Sequence, residues 1–200
     1  MKSKKQLRQK FLDIRKSSEN LSYSLENDII VKNTQEVIES IVFNRNRHAS
    51  FVKKNDIIDK NNIIGLYWPM PGEVDVMKLA VNFPTKVALP KLKGTKMYYV
   101  KYSHNSKMEK SPFSKLMQPQ NEDKVEPNIL VISGISFSLN GDRLGFGIGH
   151  YDRYVSEKST RQNIVKIGVC FHKYLSEYLP REPHDLRLDY VITEKIIIEL

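Results

Sequence analysis

The stretch Gly141–Val155, GDRLGFGIGHYDRYV, packs four of the chain's nine glycines into nine residues and then turns at once into a charged, aromatic run. Glycine carries the largest backbone entropy cost of any residue, so such a cluster needs a reason. Asn140-Gly141 reads as a hairpin turn, because both residues tolerate positive φ. Gly145, Gly147 and Gly149 alternate over five residues and lead into a helix read from His150 to about Lys158. A glycine-rich turn feeding a helix start gathers unpaired backbone N–H groups and the positive end of a helix dipole in one place, a geometry suited to phosphate. No Gly-Lys-Ser/Thr follows, so this is not a P-loop, and the third glycine of the dinucleotide fingerprint would fall on His150. Spacing alone leaves phosphate binding and a tight structural loop equally open. Asp152 fits either a Mg²⁺ ligand beside a triphosphate or a carboxylate that complements the helix dipole.

Outward from the loop, short apolar runs of strand character alternate with turn residues: NIIGLYW, TKVALP, TKMYYVKY, NILVIS, IVKIGVCF and DYVITEKIIIEL. Helical periodicity appears in the first sixteen residues, from about Ser24 to Phe43, and from Val74 to Val81. Strands alternating with helices predict an α/β fold: a Rossmann-like three-layer sandwich whose central, mostly parallel sheet is flanked by helices. The polar, proline-punctuated segment His104–Asn128 reads as a long surface loop. One domain spanning residues 1–200 is the natural division for 200 residues of which 40% are hydrophobic.

A single cysteine, Cys170, excludes an internal disulfide and a multi-cysteine zinc site, and suits a reducing, cytoplasmic compartment. No apolar run reaches the length of a membrane span. The formal charge of +9 fits an anionic partner, either nucleic acid or a phosphorylated or carboxylated small molecule. The first sixteen residues hold seven Lys or Arg against one Asp. There Leu7, Phe11 and Ile14 form an apolar face, with Lys4, Arg8 and Arg15 grouped along its edge. Periodicity alone favours snorkelling cations that reach water from the rim of a buried surface.

NGDRLGFGIGHYDRYV resembles the signature of the 5-formyltetrahydrofolate cyclo-ligase family, G-x-R-L-G-[YF]-G-x-G-[YH]-Y-D-R. KKQLR, YWPMPGEVDV, VALPKL and LPREPHDLRLDYVITE are similar to further segments of that family, in the same order along nearly the whole chain. The resemblance implies an enzyme that uses ATP and Mg²⁺ to close 5-formyltetrahydrofolate to 5,10-methenyltetrahydrofolate. It also implies a small-molecule substrate, a monomer, and neither nucleic acid nor membrane as partner.

Carried over residue by residue, the resemblance assigns ATP to Lys4, Lys5, Arg8 and the run Arg143, Leu144, Gly145, Phe146, Gly147, Ile148, Gly149, His150 and Tyr151. Asp152 and Asp185 become the Mg²⁺ ligands, Trp68, Met70, Glu73 and Tyr151 the folate wall, and Arg143, Tyr151 and Asp152 the catalytic group. The chain departs from the family pattern at Ser133, where proline is usual, at Ser138, where aspartate is usual, at Gln118, where glutamate is common, and at Ile148, which replaces a frequent glycine. Two other readings stay open: a degenerate member that binds ATP or folate without efficient turnover, and a basic nucleic-acid-binding protein on the same fold.

Overall fold

The computed structural model describes residues 3–17, 23–46, 62–114, 116–158 and 163–200. In chain order the helices are α1 (Lys4–Ser17), α2 (Ser24–Asn46), α3 (Lys78–Asn82) and α4 (His150–Lys158). The strands are β1 (Ile64–Gly65), β2 (Val87–Lys93), β3 (Lys96–Tyr102), β4 (Met108–Lys110), β5 (Met117–Pro119), β6 (Lys124–Val125) and β7 (Ile129–Ile132). They continue with β8 (Ser136–Ser138), β9 (Arg143–Leu144), β10 (Val165–Val169), β11 (Leu175–Ser176), β12 (Tyr190–Ile192) and β13 (Ile197–Glu199).

The central sheet has eight strands in the order β13-β12-β10-β7-β1-β2-β3-β6. Its five inner strands, β12 to β2, run parallel, and antiparallel strands finish both edges. This is the predicted α/β class, and the composition of the strands explains it. Parallel strands are covered on both faces, so they read as unbroken apolar runs rather than alternating ones. All four residues of β7 are fully buried, each contributing roughly 1.5–3 kcal/mol of hydrophobic stabilisation. Helix α2 packs against β10 and β12, with Ile30, Ile38 and Val42 completely covered, while α4 packs on β3. No helix among the described residues is long and apolar enough to cross a membrane.

From β1 the chain moves to β2 on one side, whereas β7, β10 and β12 build out on the other. Strand order therefore reverses at the β1–β7 boundary, and in open α/β sheets ligands lodge beyond the carboxyl ends of strands at such a reversal. The residues just past those ends are Leu66–Glu73 after β1 and Ser133–Gly134 after β7.

Three sequence expectations change. The helix predicted from Val74 to Val81 is confined to Lys78–Asn82. Asn27 brackets the Asp75 peptide, accepting its N–H at 2.6 Å and donating to its carbonyl at 3.2 Å, while Asp75 Oδ1 accepts the Met77 N–H. Those backbone groups are withdrawn from a helical ladder, and Val74 and Val76 are buried in a non-helical approach. The segment His104–Asn128 is not plain surface loop: β4 and β5 form a hairpin and β6 extends the main sheet beside β3. Lys91 anchors it, buried at 6% exposure, donating to the carbonyls of Gln120 and Asn121 and pairing with Glu122 at 2.8 Å. DYVITEKIIIEL, read as one run, is the hairpin β12–β13, turned by Thr193, whose Oγ1 accepts the N–H groups of Lys195 and Ile196.

Candidate active site

The hairpin β8–β9 turns at Asn140-Gly141, as its sequence predicts, and delivers the chain into the glycine loop. Each alternating glycine admits an arginine. A Cβ on Gly145 would lie 2.9 Å from Arg143 Nη1; on Gly147, 3.4 Å from Arg8 Cζ; on Gly149, 3.0 Å from Arg153 Nη1. Gly147 and Gly149 also carry positive φ, 96° and 74°. Arg8 donates through Nε to the Gly145 carbonyl at 2.8 Å, and Arg153 donates to the Ile148 carbonyl at 2.7 Å. A side chain at Gly145 or Gly149 would crowd its arginine, and at Gly147 and Gly149 any side chain would be strained by the positive φ.

The arginines and the loop border a polar cleft of about 340 Å³ that includes Lys4, Arg8, Arg143, Asp152, Arg153 and Asp185. Arg143, its side chain 8% exposed, donates to Asp152 Oδ2 at 3.2 Å and to the Ser133 carbonyl at 3.1 Å. The other Asp152 oxygen accepts the Leu186 N–H at 3.1 Å, which ties α4 to the C-terminal segment. Lys4 pairs with Asp185 at 2.6 Å and with Glu182 at 3.3 Å. Among the described residues Glu182, His184 and Asp185 bring their ligand atoms within 4.8 Å of one another.

Burial alone would raise the Asp185 carboxyl, but the hydrogen bonds from Lys4 and the Glu182 N–H, with the charges of Lys4 and His184, hold it below the ordinary carboxylate value. Its contribution to stability is therefore present above the unfolded pKa, near 4, and is lost as pH falls through the folded value. Thermal melts of wild type and Asp185→Asn from pH 7 to pH 3 check this. The wild-type advantage is expected to hold down to about pH 4 and to fade progressively as pH falls further.

Beside the cleft lies a second, mainly apolar cavity of about 430 Å³ at the β1–β7 reversal. Trp68, Met70, Glu73 and Tyr151 all line it, so the expected folate residues, scattered over 84 positions, meet around one cavity. Arg143, Ile148 and Gly149 border both cavities. Burial pushes the Tyr151 phenol up to about 12 against the opposing charge of Arg143, whose guanidinium sits 5.1 Å from the ring centre. Tyr151 is thus a hydrogen-bond donor at neutral pH rather than a base. Burial first, then the charge of Arg153, lowers His150 below the usual imidazole value, so that ring is neutral there.

Several predicted residues fall elsewhere. Leu144 is 1% exposed and belongs to the core, because the two-residue strand β9 turns it inward as Arg143 turns to the site. Phe146, His150 and Tyr151 line the apolar cavity and not the polar cleft. Lys5 is exposed and lines neither, one residue being a 100° rotation on the helix. Arg15 does not snorkel: it is 6% exposed and turned into the protein. Ser138 faces Asp142 within the turn, not the cleft. Sequence reasoning missed Arg153 and Glu182 in the cleft, and Phe113, Leu116 and Met117 in the cavity wall. The signal for the last three was the apolar content of SPFSKLMQP, masked by its polar flanks.

Residues 1–194 match the sequence pattern of the 5-formyltetrahydrofolate cyclo-ligase family. The chain belongs to that family. A probable 5-formyltetrahydrofolate cyclo-ligase of Schizosaccharomyces pombe is 30% identical over 86 residues, which is 38% of this chain and 42% of the relative. The 5-formyltetrahydrofolate cyclo-ligase of Mycoplasma genitalium is 36% identical over 76 residues, 36% of this chain and 44% of the relative. The match thus spans less than half the length of these two curated relatives. That of Mycoplasma pneumoniae is 27% identical over 135 residues, covering 66% and 73%. The solution structure of Aquifex aeolicus 5,10-methenyltetrahydrofolate synthetase superposes with a TM-score of 0.69 at 27% identity, over 98% of this chain and 92% of that one. The stretch that resembles the cyclo-ligase signature is the one whose glycines the arginines back.

Proposed function

We propose that the chain is a single-domain, monomeric, cytoplasmic ligase that closes 5-formyltetrahydrofolate to 5,10-methenyltetrahydrofolate and releases ADP and phosphate. One observation carries this reading: a cationic cleft and an apolar, aromatic-lined cavity share Arg143 and the glycine loop. The cleft suits ATP phosphates, with Lys4, Arg8 and Arg153 around glycines that leave the backbone open. The cavity suits a flat pterin, with Trp68, Met70 and Tyr151 as walls and Glu73 as acceptor.

In the reaction the γ-phosphoryl group of ATP passes to the formyl oxygen, N10 attacks the activated carbon, and the phosphate leaves with that oxygen. Little covalent work falls to the protein, so positioning and charge neutralisation carry the rate. Arg143 stands at the boundary between the two substrates and faces the charge that moves. Tyr151 keeps its proton and orients the folate side.

The residues present fit Mg²⁺ as well as ATP. Asp152 and Asp185 offer hard carboxylate oxygens on the cleft wall, each with lone pairs left beyond its present partners. There Mg²⁺ would neutralise phosphate charge during transfer.

Incubating the protein with ATP, Mg²⁺ and 5-formyltetrahydrofolate and following methenyl absorbance tests the reading. Product requiring all three components is expected; none at high protein concentration would overturn it. Arg8→Ala is expected to weaken ATP tenfold to a hundredfold, the worth of a charge-assisted hydrogen bond, and to leave folate affinity within about twofold. Calorimetric titration with each substrate checks this. A fall in Tm with both affinities intact would make Arg8 only a brace for the Gly145 carbonyl.

A further inference from the structure

We propose that Arg15 is a positioning residue for the folate side of the reaction, holding Glu73 in place without touching substrate. The inference rests on the folate reading of the apolar cavity. Helix α1 sends Lys4 and Arg8 to the polar cleft, and Arg15, two turns beyond Arg8, lies on the same side of the helix. Its surroundings differ. The side chain runs past Gly72, where an added Cβ would stand 3.5–3.7 Å from its Cδ, Cγ and Cβ. Its guanidinium donates through Nη2 to the Gly134 carbonyl, places Nη1 3.7 Å from Glu73 Oε1, and lies 5.1 Å from the centre of the Tyr174 ring.

Glu73 is the unusual partner. Its side chain is 2% exposed, Oε2 accepts the Met70 N–H at 3.0 Å, and Oε1 has no hydrogen bond, although the residue lines the cavity. A carboxylate so placed needs a nearby cation to stay ionised. The titratable and charged groups around it are Arg15 from α1, Tyr67 beyond β1, Tyr151 from α4 with Arg143 behind it, and Cys170 beyond β10. Arg143 is already committed to Asp152. The balancing charge for Glu73 is therefore Arg15. Burial raises the Glu73 carboxyl, and the Met70 N–H, the Arg15 charge and the Ser133 hydroxyl oppose it, Arg15 being the cation among them.

A second observation links the two substrate sites. Past the end of β7, Ser133 O accepts from Arg143 and Gly134 O accepts from Arg15, so consecutive carbonyls are held by one arginine from each side. Arg15 lines neither large cavity, which makes its influence indirect.

The test uses the full chain with Arg15→Met, Arg15→Lys and Glu73→Gln. Arg15→Met is expected to lower kcat/KM for 5-formyltetrahydrofolate about a hundredfold and to leave KM for ATP within about threefold. Loss of the cation favours the protonated carboxyl, so the acid limb of kcat/KM is expected to move up by about one pH unit. Arg15→Lys is expected to restore most of that limb. Adding Arg15→Met to Glu73→Gln is expected to cost little more than Glu73→Gln alone. An unmoved limb, with equal losses for both substrates, would make Arg15 a packing residue and overturn the proposal.

A substrate-free arm separates this from the functional reading. The ¹³C carboxyl resonance of Glu73, recognised by its absence in Glu73→Gln, is expected to titrate at higher pH in Arg15→Met. If wild type forms no methenyl product, the functional reading falls, while an unmoved midpoint would still refute the role of Arg15. Should Arg15→Met fail to fold, Arg15→Gln, which also removes the cation, carries both arms, with an upward displacement expected and none refuting.

Discussion

Asp152→Asn is expected to reduce methenyl formation about a thousandfold. The substitution keeps the size of the side chain and an oxygen for the Leu186 N–H, but removes the charge that faces Arg143 at 3.2 Å. Under the proposed mechanism it also removes a hard ligand for Mg²⁺ and frees Arg143 from its set position, two losses felt mainly when charge moves. Both side chains are largely buried, so breaking the pair leaves an uncompensated guanidinium. A penalty near the lower end of roughly 3–5 kcal/mol corresponds to a fall in Tm of roughly 10 °C for a domain of this size. Steady-state absorbance kinetics at 25 °C and calorimetric melting separate the two effects. Activity within tenfold of wild type in a folded protein would remove Asp152 from the reaction.

The second large effect concerns Gly145. Gly145→Ala is expected to lower kcat/KM for ATP about a hundredfold, a loss typical of a catalytic group displaced by about 1 Å. A methyl group there would stand 2.9 and 3.0 Å from the two terminal nitrogens of Arg143. That arginine is held at both ends, by Asp152 and by the Ser133 carbonyl, and cannot yield without giving up one of them. Gly94→Ala supplies the contrast. Gly94 turns the exposed β2–β3 hairpin at φ +61° with nothing within 4 Å of an added Cβ. It is expected to lose about 1–2 kcal/mol of stability through backbone strain and none of its activity. Kinetics and melts on both variants check the pair; equal kinetic losses would make the effect on Arg143 unnecessary.

Much of the fold was legible because its cues are local. The apolar runs in NILVIS and IVKIGVCF announce strands buried on both faces, and β7 and β10 lie side by side within the parallel sheet. Helix α4 begins at His150 and ends at Lys158, where glycine ceases and periodicity starts. The failures have physical causes too. Val74 and Val76 fit a helical period, yet Asn27 takes the Asp75 backbone groups that a helix would use. The β4–β5 hairpin is half polar because one of its faces closes a cavity, and a segment with buried Gln118 and Ser111 resembles a loop when read alone.

The sequence by itself determined the inner strands of the main sheet and helices α1, α2 and α4, the asparagine–glycine turn, the glycine spacing and membership of the cyclo-ligase family. Each depends on neighbours a few residues apart. The resemblance to that family singled out Trp68, Glu73, Arg143, Tyr151 and Asp152 as candidates. Only the tertiary structure decided what surrounds them. The strand reversal between β1 and β7 brings Glu73 near Ser133, and the return of α1 over the loop joins Lys4 to Asp185, 181 residues away. Helical periodicity put Lys4, Arg8 and Arg15 on one edge but could not assign what that edge meets. One end borders a polar cleft, where the cations stand over glycine backbone; the other enters the core, where Arg15 is held by the Gly134 carbonyl and faces the buried carboxylate of Glu73. The physical reason is that a helix face is set by a rotation of 100° per residue, whereas the dielectric and the partners it encounters are set by chain topology.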